Sequence, residues 1–330
     1  MQVSVIIPVY NAADYVRQAV ESALAQPETA EVILVEDGSP DNSLAVCQEL
    51  AGAYPTVHLY RHPHGANRGA AASRNLGILR STCEYVAFLD ADDYYLPGRF
   101  SVARRLFATD PSLEGVYEAL GEYIESEAAA QRWDAAGLPR GKLTTMTRRV
   151  PPDQLFGILV PGHHGYFHLD GLVVKRTVFD RTGLFDEHLL LVEDTAMIWK
   201  MAGVARLAPG RLDEPVAMRR IHERNRASAL SPQERYRLWM RVFSTVWRWS
   251  RQHLDREKQW VVLNRFLNYA VYSRFRRSGP RWTHGWQKKF WLSLLPFRYP
   301  LLILEPCFWE RWIPDRVAML WGRLARAWGK

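Results

Sequence analysis

The sequence has few cysteines and lacks the apolar leader of a secreted protein. Its three cysteines, Cys47, Cys83 and Cys307, lie far apart, without the paired spacing of a zinc site or a disulfide framework. The start, MQVSVIIPVY, enters a strand pattern without a basic segment followed by a long apolar run, which argues against a secretory signal. These features favour a reducing compartment, and we expect a cytoplasmic protein.

Positive charge and tryptophan are scarce in the first 230 residues. Residues 1–230 hold 23 Lys and Arg against 29 Asp and Glu, whereas residues 231–330 hold 20 against 6. Of the 13 tryptophans, Trp133 and Trp199 alone precede residue 231. The body is therefore mildly acidic, and the basic, aromatic tail is where a partner surface is expected.

Short apolar runs alternate with helical patterns over the first hundred residues, and this alternation predicts an α/β fold with a sheet covered on both faces. The predicted strands are residues 3–8, 31–36, 57–61 and 85–90. Residues 14–26 and 70–81 have helical patterns, and Ser39 and Pro40 predict the start of another helix. A further helix is expected near Glu193, and long helical patterns follow Ser231.

Three carboxylates follow the fourth predicted strand, in the stretch FLDADDYY. Like charges so close repel one another unless a cation or a set of donors is shared between them. Asp90 and Asp92 form Asp-x-Asp, a spacing at which two hard oxygen ligands can approach one Mg²⁺ or Mn²⁺. Alone, this spacing is also typical of a solvated acidic turn. Because strand ends meet at one edge of a sheet, we expect this cluster to share a pocket with the polar residues that follow the first two strands.

Six motifs follow one another in an order that resembles glycosyltransferase family 2 over roughly the first 225 residues. They are VSVIIPVYNAADYVRQAVESALAQ, EVILVEDGSPDNS, NRGAAASRNLGI, YVAFLDADDYYLPGR, GLFDEHLLLVEDTAMIWKMA and RRIHERNRAS. The resemblance implies the GT-A fold, a mixed sheet flanked by helices, here followed by a helical C-terminal region. It predicts a nucleotide-sugar-binding half at 1–110, an acceptor-binding half at 111–230 and a basic, Trp-rich helical region at 231–330.

The resemblance assigns the donor nucleotide to the first half. Tyr10 is similar to the aromatic residue that packs against the base, with Pro8 beside it. Asp37 resembles the carboxylate that accepts a hydrogen bond from uracil N3–H, which predicts a uridine nucleotide. Arg74 and Asn75 resemble residues that hold the nucleotide side of the pocket. Arg74 has an alternative interpretation as a surface helix residue paired with a nearby carboxylate.

The resemblance also assigns the metal and the base. Asp90 and Asp92 are similar to the pair that contacts the ribose and the diphosphate-bound metal, and His222 to a histidine that closes on the metal or diphosphate. Asp194 resembles the base that takes a proton from the acceptor hydroxyl, with Glu193 as a neighbour that orients it or contacts the acceptor. Acidic residues at a helix start also stabilise the helix dipole without any catalytic role.

The last helical pattern, DRVAMLWGRLARAWG, is amphipathic. At about 100° per residue its apolar positions, two of them tryptophans, gather opposite its arginines. Such a face predicts a helix in a membrane interface, and we expect residues 284–330 to contact the inner membrane surface. The alternative is a helical subdomain packed on the catalytic domain with its tryptophans buried. Nucleic acid is not an expected partner, because no binding motif accompanies the basic residues.

These patterns together predict a metal-dependent inverting glycosyltransferase, peripheral on the cytoplasmic face of the membrane. It would transfer a sugar from a UDP-linked donor to a glycan or lipid-linked acceptor in cell-surface polysaccharide or glycoconjugate synthesis. A sugar nucleotidyltransferase is one alternative, but it should carry a Gly-rich, basic phosphate loop after the first strand, and PVYNAADYV has none. A non-catalytic nucleotide-sugar-binding scaffold is another, and it would have no need of a base.

Overall fold

The computed structural model describes residues 1–137, 140–225 and 231–275. The chain divides into two compact units, Met1–Val242 and Phe243–Lys330. Both predicted halves of the catalytic domain, 1–110 and 111–230, lie within the first unit. Among the described residues, every helix is too short or too polar to cross a membrane.

A mixed seven-stranded sheet forms the centre of the first unit. Its order is β3, β2, β1, β4, β8, β6, β9. The first four strands are mutually parallel, β8 runs antiparallel to both β4 and β6, and β9 is parallel to β6. The strands are β1 (Val3–Val9), β2 (Thr29–Glu36), β3 (Val57–Arg61), β4 (Tyr85–Phe88), β6 (Gly115–Tyr117), β8 (Leu172–Lys175) and β9 (Leu207–Pro209).

Among the described residues, eight helices lie wholly within the first unit, and several of them pack on this sheet. They are α1 (Val16–Leu24), α2 (Ser43–Ala53), α3 (Gly69–Arg80), α4 (Ser101–Thr109), α5 (Glu127–Ala135), α6 (Pro152–Leu159), α7 (Phe179–Thr182) and α8 (Glu193–Val204). The helix α3 packs closely on β1: a Cβ added at Gly77 would lie 2.3 Å from Ile6 Cγ2. Because strands covered on both faces have few solvated positions, β1 forms a nearly continuous apolar run.

The predicted helices at 14–26 and 70–81 are present, but the predicted start of the second helix at Ser39 and Pro40 was wrong. The helix α2 begins at Ser43, whose N–H donates to Asp41 Oδ1 at 3.0 Å. The Ser39 hydroxyl instead accepts a hydrogen bond from the Asn11 N–H at 3.1 Å. Ser39 thus joins two strand-end loops rather than capping a helix.

A second, three-stranded sheet lies beside the carboxylate cluster and contacts it through residues near the end of its central strand. It consists of β5 (Tyr94–Tyr95), β10 (Pro215–Ile221) and β7 (Ala119–Ile124), with β10 in the centre. At the end of β10, the Arg220 N–H donates to Asp93 Oδ1 at 2.7 Å and Arg220 Nε donates to the Asp92 carbonyl at 2.9 Å. These bonds bring His222 to the edge where β4 ends.

The described part of the C-terminal region, residues 231–275, is helical as predicted, through α9 (Pro232–His253) and α10 (Arg256–Phe275). Within the second unit Phe243 packs against Phe266 and Tyr269, with ring centroids 6.0 Å and 5.3 Å away. The amphipathic pattern at the chain end and all of residues 284–330 lie outside the described residues.

Candidate active site

A cleft of about 660 Å³ lies where β1, β2 and β4 end, and residues from both halves of the domain line it. The strand-end clusters therefore share one pocket, as expected. Of the predicted site residues, Asn75 is the one that does not line the cleft. The others do: Pro8, Tyr10, Asp37, Arg74, Asp90, Asp92, Glu193, Asp194 and His222.

The nucleotide side of the cleft combines an exposed aromatic ring with a fixed carboxylate. Tyr10 is 50% exposed at the end of β1. Asp37 is buried, and its two carboxylate oxygens accept from the backbone N–H groups of Arg68 and Gly69 at 2.7 Å and 2.9 Å. These donors lie at the start of α3, where the helix dipole also favours a negative charge. Each oxygen retains a lone pair, so the carboxylate can still accept from a ligand N–H.

Asn75 holds a loop instead of contacting the cleft. Its Nδ2 donates to the Phe185 carbonyl at 3.0 Å, and the Phe185 N–H donates to Asn75 Oδ1 at 2.8 Å. This reciprocal pair ties α3 to the segment that leads into α8. The side chain thus supports the position of Glu193 and Asp194 from behind.

Arg74 is a buried bridge between the two sides of the cleft, not a surface helix residue. Its Nη1 donates to Glu193 Oε1 at 2.6 Å and its Nη2 donates to Asp90 Oδ1 at 2.7 Å. Burial opposes charging, but the two carboxylates outweigh it and raise the pKa of Arg74 further above its ordinary value. Burial also raises the pKa of Asp90, yet Arg74, together with His168 and Arg219, outweighs burial and the net pKa is lowered. Arg74 therefore stays cationic and holds Asp90 ionised.

Removing the Arg74 guanidinium should strongly destabilise the fold. Arg74→Leu leaves the buried Glu193 carboxylate without its cation, and we expect the free energy of unfolding to fall by about 3 kcal/mol. The matched control is Arg68→Leu, because the Arg68 to Glu187 ion pair has the same kind of contact, at 2.9 Å, with side chains 53% and 41% exposed. It should cost less than about 1 kcal/mol. Urea denaturation measures both, and equal losses would refute the role of Arg74 as a buried bridge.

Asp90, Asp92 and Asp93 each offer a carboxylate oxygen to a common point, all within 4.8 Å of one another. Two side-chain contacts and one shifted pKa offset their repulsion. Arg74 pairs with Asp90, and His222 Nε2 lies 2.9 Å from Asp92 Oδ2. Burial, followed by the charges of its neighbours, raises the pKa of Asp93 well above its usual range. Asp93 is therefore suited to hold a proton, which removes one negative charge from the cluster.

The donor set of Asp90 and Asp92 fits a hard divalent cation, because both offer carboxylate oxygens beside an open cleft. His222 fits less directly. Its Nδ1 accepts from the Arg224 N–H at 3.2 Å, which places the ring proton on Nε2, facing Asp92. A metal ligand needs a lone pair at that nitrogen. In this arrangement His222 orients Asp92, and its role as a ligand, which needs the other tautomer, stays a prediction.

Glu193 and Asp194 differ in side-chain exposure and in whether a carboxylate oxygen is left without a hydrogen bond. The Glu193 side chain is 7% exposed and bound to Arg74, and burial raises its pKa. The Asp194 side chain is 26% exposed, and its Oδ1 accepts from the Thr195 N–H at 2.6 Å. Asp194 Oδ2 accepts no hydrogen bond within the described residues. Asp194 is therefore the carboxylate placed to receive a proton from a molecule in the cleft.

The backbone directly before Glu193 and Asp194 is strained. Val192 precedes α8 with φ +62°, a left-handed conformation that β-branched residues avoid. Such a conformation costs about 1–3 kcal/mol and persists only where the surroundings impose it. Here it turns the chain into the helix so that Glu193 meets Arg74 and Asp194 borders the cleft.

His168 lines the cleft although the sequence gave no reason to select it. It precedes the short 3₁₀ turn Leu169–Gly171, and its Nε2 lies 3.8 Å from Asp194 Oδ2. Burial lowers the pKa of His168, but nearby carboxylates, Asp170 first, outweigh burial and raise it to about 9. No local motif distinguishes His168 from His163 and His164, five and four residues earlier, which do not line the cleft.

Comparison with known protein families places this site in context. Residues 4–122 match the model of glycosyl transferase family 2. The chain is 30% identical over 241 residues to an uncharacterized glycosyltransferase of Rickettsia felis, a match that covers 69% of this chain and 36% of that protein. It is 43% identical over 97 residues to the succinoglycan biosynthesis protein ExoU of Rhizobium meliloti, covering 29% and 28%. The chain spans about a third of the length of the curated relatives it matches first.

Solved structures confirm the fold. S. aureus TarS 1–349 in complex with UDP-GlcNAc aligns with a TM-score of 0.61 at 20% identity, covering 82% of this chain and 73% of that one. The mannosyltransferase PcManGT of Pyrobaculum calidifontis, in complex with GDP-Man and Mn²⁺, aligns with a TM-score of 0.52 at 16% identity, covering 100% and 88%. The fold is that of the GT-A glycosyltransferases. Residues 4–122 thus form a glycosyltransferase family 2 domain, as the motifs predict.

Proposed function

We propose that the protein is a metal-dependent inverting glycosyltransferase that transfers a sugar from a UDP-linked donor to a hydroxyl of a glycan or lipid-linked acceptor. One observation carries the proposal. One cleft is lined both by the Asp90 and Asp92 carboxylates and by Asp194, whose Oδ2 accepts no hydrogen bond within the described residues and can accept a proton. A binding module has no use for such a base, whereas a transferase needs one.

The reaction that this arrangement favours is a single displacement. Asp194 accepts the proton of the acceptor hydroxyl while the hydroxyl oxygen forms a bond to the anomeric carbon. The bond from that carbon to the diphosphate oxygen breaks, and its electron pair leaves with the nucleoside diphosphate. Attack on the face opposite the leaving group inverts the anomeric centre. No acid is needed, because the diphosphate is already a good leaving group.

Charge compensation for the departing diphosphate comes from both halves of the domain. Arg219 and Arg224 line the cleft and can neutralise developing negative charge. A bound Mg²⁺ or Mn²⁺, held by Asp90 and Asp92, would supply further electrostatic stabilisation of the diphosphate. The Mn²⁺ complex of PcManGT supports a divalent metal in a protein of this fold.

A uridine donor is supported by Asp37 and Tyr10. Asp37 presents fixed acceptor oxygens, which suit the N3–H of uracil, and Tyr10 offers an exposed ring for stacking on the base. The UDP-GlcNAc complex of TarS supports the same nucleotide, and the likeness to the succinoglycan biosynthesis protein supports a polysaccharide or glycoconjugate product.

A panel of nucleotide sugars tests the proposal. The assay measures nucleoside diphosphate release with Mn²⁺ and again after chelation. We expect release from one UDP-sugar, and we expect chelation to abolish it. Binding without release would favour a non-catalytic scaffold, and pyrophosphate formation from a sugar phosphate and a nucleoside triphosphate would favour a nucleotidyltransferase.

We further propose that the protein is cytoplasmic and binds the inner membrane surface through residues 284–330. The support is in the sequence: an excess of 14 positive charges after residue 230 and an amphipathic, Trp-bearing pattern at the chain end. A membrane location would also place the cleft near a lipid-linked acceptor.

Removing residues 314–330 should release much of the protein from anionic vesicles while soluble donor hydrolysis stays largely intact. Each Lys or Arg near an anionic surface contributes about 1 kcal/mol, and the apolar face adds insertion energy that salt does not screen. Co-sedimentation of both proteins at low and moderate salt measures the effect. Equal sedimentation, or loss of folding on truncation, would favour a packed helical subdomain.

A further inference from the structure

A chain of three side chains, Asp170, His168 and Asp194, leads from the domain core to the cleft. His168 Nδ1 lies 3.4 Å from Asp170 Oδ1, and His168 Nε2 lies 3.8 Å from Asp194 Oδ2. Both ring nitrogens therefore face carboxylate oxygens, one on a fully buried residue and one at the cleft wall. His168 Nδ1 also accepts from the Asp170 N–H at 3.3 Å, so the ring cannot rotate without losing this hydrogen bond and moving Nε2 away from Asp194.

Asp170 is a rigid anchor for the ring. The residue is fully buried, and its Oδ2 lies 3.4 Å from the Asp90 N–H. Its backbone carbonyl accepts from Arg99 Nε at 3.0 Å, and Arg99 is itself fully buried and paired with Glu118 at 3.0 Å. The position of the imidazole is thus set by the core of the domain rather than by the loop that carries it.

The geometry points to His168 as a positioning residue for Asp194: anchored by Asp170, the ring lies beside Asp194 Oδ2 and so restricts the direction in which the base faces the acceptor. The inference rests on the proposed role of Asp194 as base. Thr195 N–H holds the other carboxylate oxygen, at 2.6 Å. The imidazole lies 3.8 Å from Oδ2, beyond hydrogen-bond reach, so this oxygen can still take the acceptor proton. Contacts on both sides favour one rotamer of the carboxylate, which lowers its ordering cost when the acceptor arrives.

A double-mutant cycle tests this inference. His168→Gln should lower kcat by about tenfold without changing the KM for the donor, because a misplaced base slows proton transfer but leaves the nucleotide site intact. In the D194N background the same substitution should cause no further loss, because the ring has no base left to position. Single-turnover rates measure the residual activity of the D194N proteins. His168→Asn enters the same cycle if the Gln variant does not fold.

The matched control is His58→Gln. His58 Nε2 forms a comparable contact, 3.9 Å from Glu31 Oε2, but its side chain is 44% exposed and does not line the cleft. It should leave kcat unchanged. A further tenfold loss from H168Q in the D194N background, or a rise in donor KM, would overturn the positioning role while leaving the base in place. Wild-type transfer by D194N alone would instead overturn the proposed base.

Discussion

Asp194→Asn should lower the rate of sugar transfer by about 10² or more while donor affinity stays nearly unchanged. The amide keeps the size of the side chain and can still accept from the Thr195 N–H, but it cannot take the acceptor proton. The measurement pairs the transfer rate with the equilibrium dissociation constant of the donor. A loss confined to the rate identifies a group that acts in the transition state.

Glu193→Gln is the matched control for this variant. Glu193 is the neighbouring carboxylate, and its Oε1 is already bound to Arg74 at 2.6 Å. The Gln variant keeps a hydrogen-bond acceptor for Arg74, so its loss of transfer should be clearly smaller. An inactive Glu193→Gln together with an active Asp194→Asn would mean that the two roles are exchanged.

Asp92→Ala should abolish turnover and weaken metal-dependent donor binding. The substitution removes an oxygen ligand from the pair with Asp90 and leaves diphosphate charge uncompensated. It also releases His222, whose Nε2 contacts Asp92 at 2.9 Å. Nucleoside diphosphate release and donor titration, each with Mn²⁺ and after chelation, measure the two effects.

The control for Asp92→Ala is Asp110→Ala. Asp110 follows α4, and its Oδ1 accepts from the Ser112 N–H at 3.0 Å. It is not among the residues that line the cleft. Its removal should leave turnover and its metal dependence unchanged. Full activity of Asp92→Ala in a chelator-treated preparation would remove the basis for a metal at this cluster.

The parallel strands and the helix over residues 70–81 were predictable because hydrophobic period and strand-end polarity are local properties. Their consequence, one pocket built from three strand ends, follows from topology alone. The start of α2 was not predictable in the same way. Ser39 has the composition of a helix cap, but its N–H donates to Glu36 Oε1 and its hydroxyl accepts from Asn11. A tertiary contact thus overrode a local preference.

The site residues also divide into those whose positions follow from local sequence and those whose contacts depend on distant parts of the chain. The motifs correctly predicted that Asp90, Asp92 and Asp194 line the cleft. This was possible because their positions, at a strand end and at a helix start, are set by local sequence. Asn75 and Arg74 each have a partner more than 100 positions away, Phe185 for Asn75 and Glu193 for Arg74. Motif likeness names a residue but does not show which distant group its side chain meets.

His168 illustrates what sequence patterns omit. It has no motif of its own, and it becomes part of the site because the turn Leu169–Gly171, which leads into β8, holds it near Asp194 of a distant segment. Its significance lies in charges that converge from three separate segments.

The most direct test of the proposed donor site is a crystal structure with UDP and Mn²⁺, using anomalous diffraction at the manganese edge. We expect one anomalous peak beside the Asp92 and Asp90 carboxylates and in contact with the diphosphate, with uracil between Tyr10 and Asp37. Nucleotide bound outside this cleft, or a manganese peak away from both carboxylates, would contradict the account.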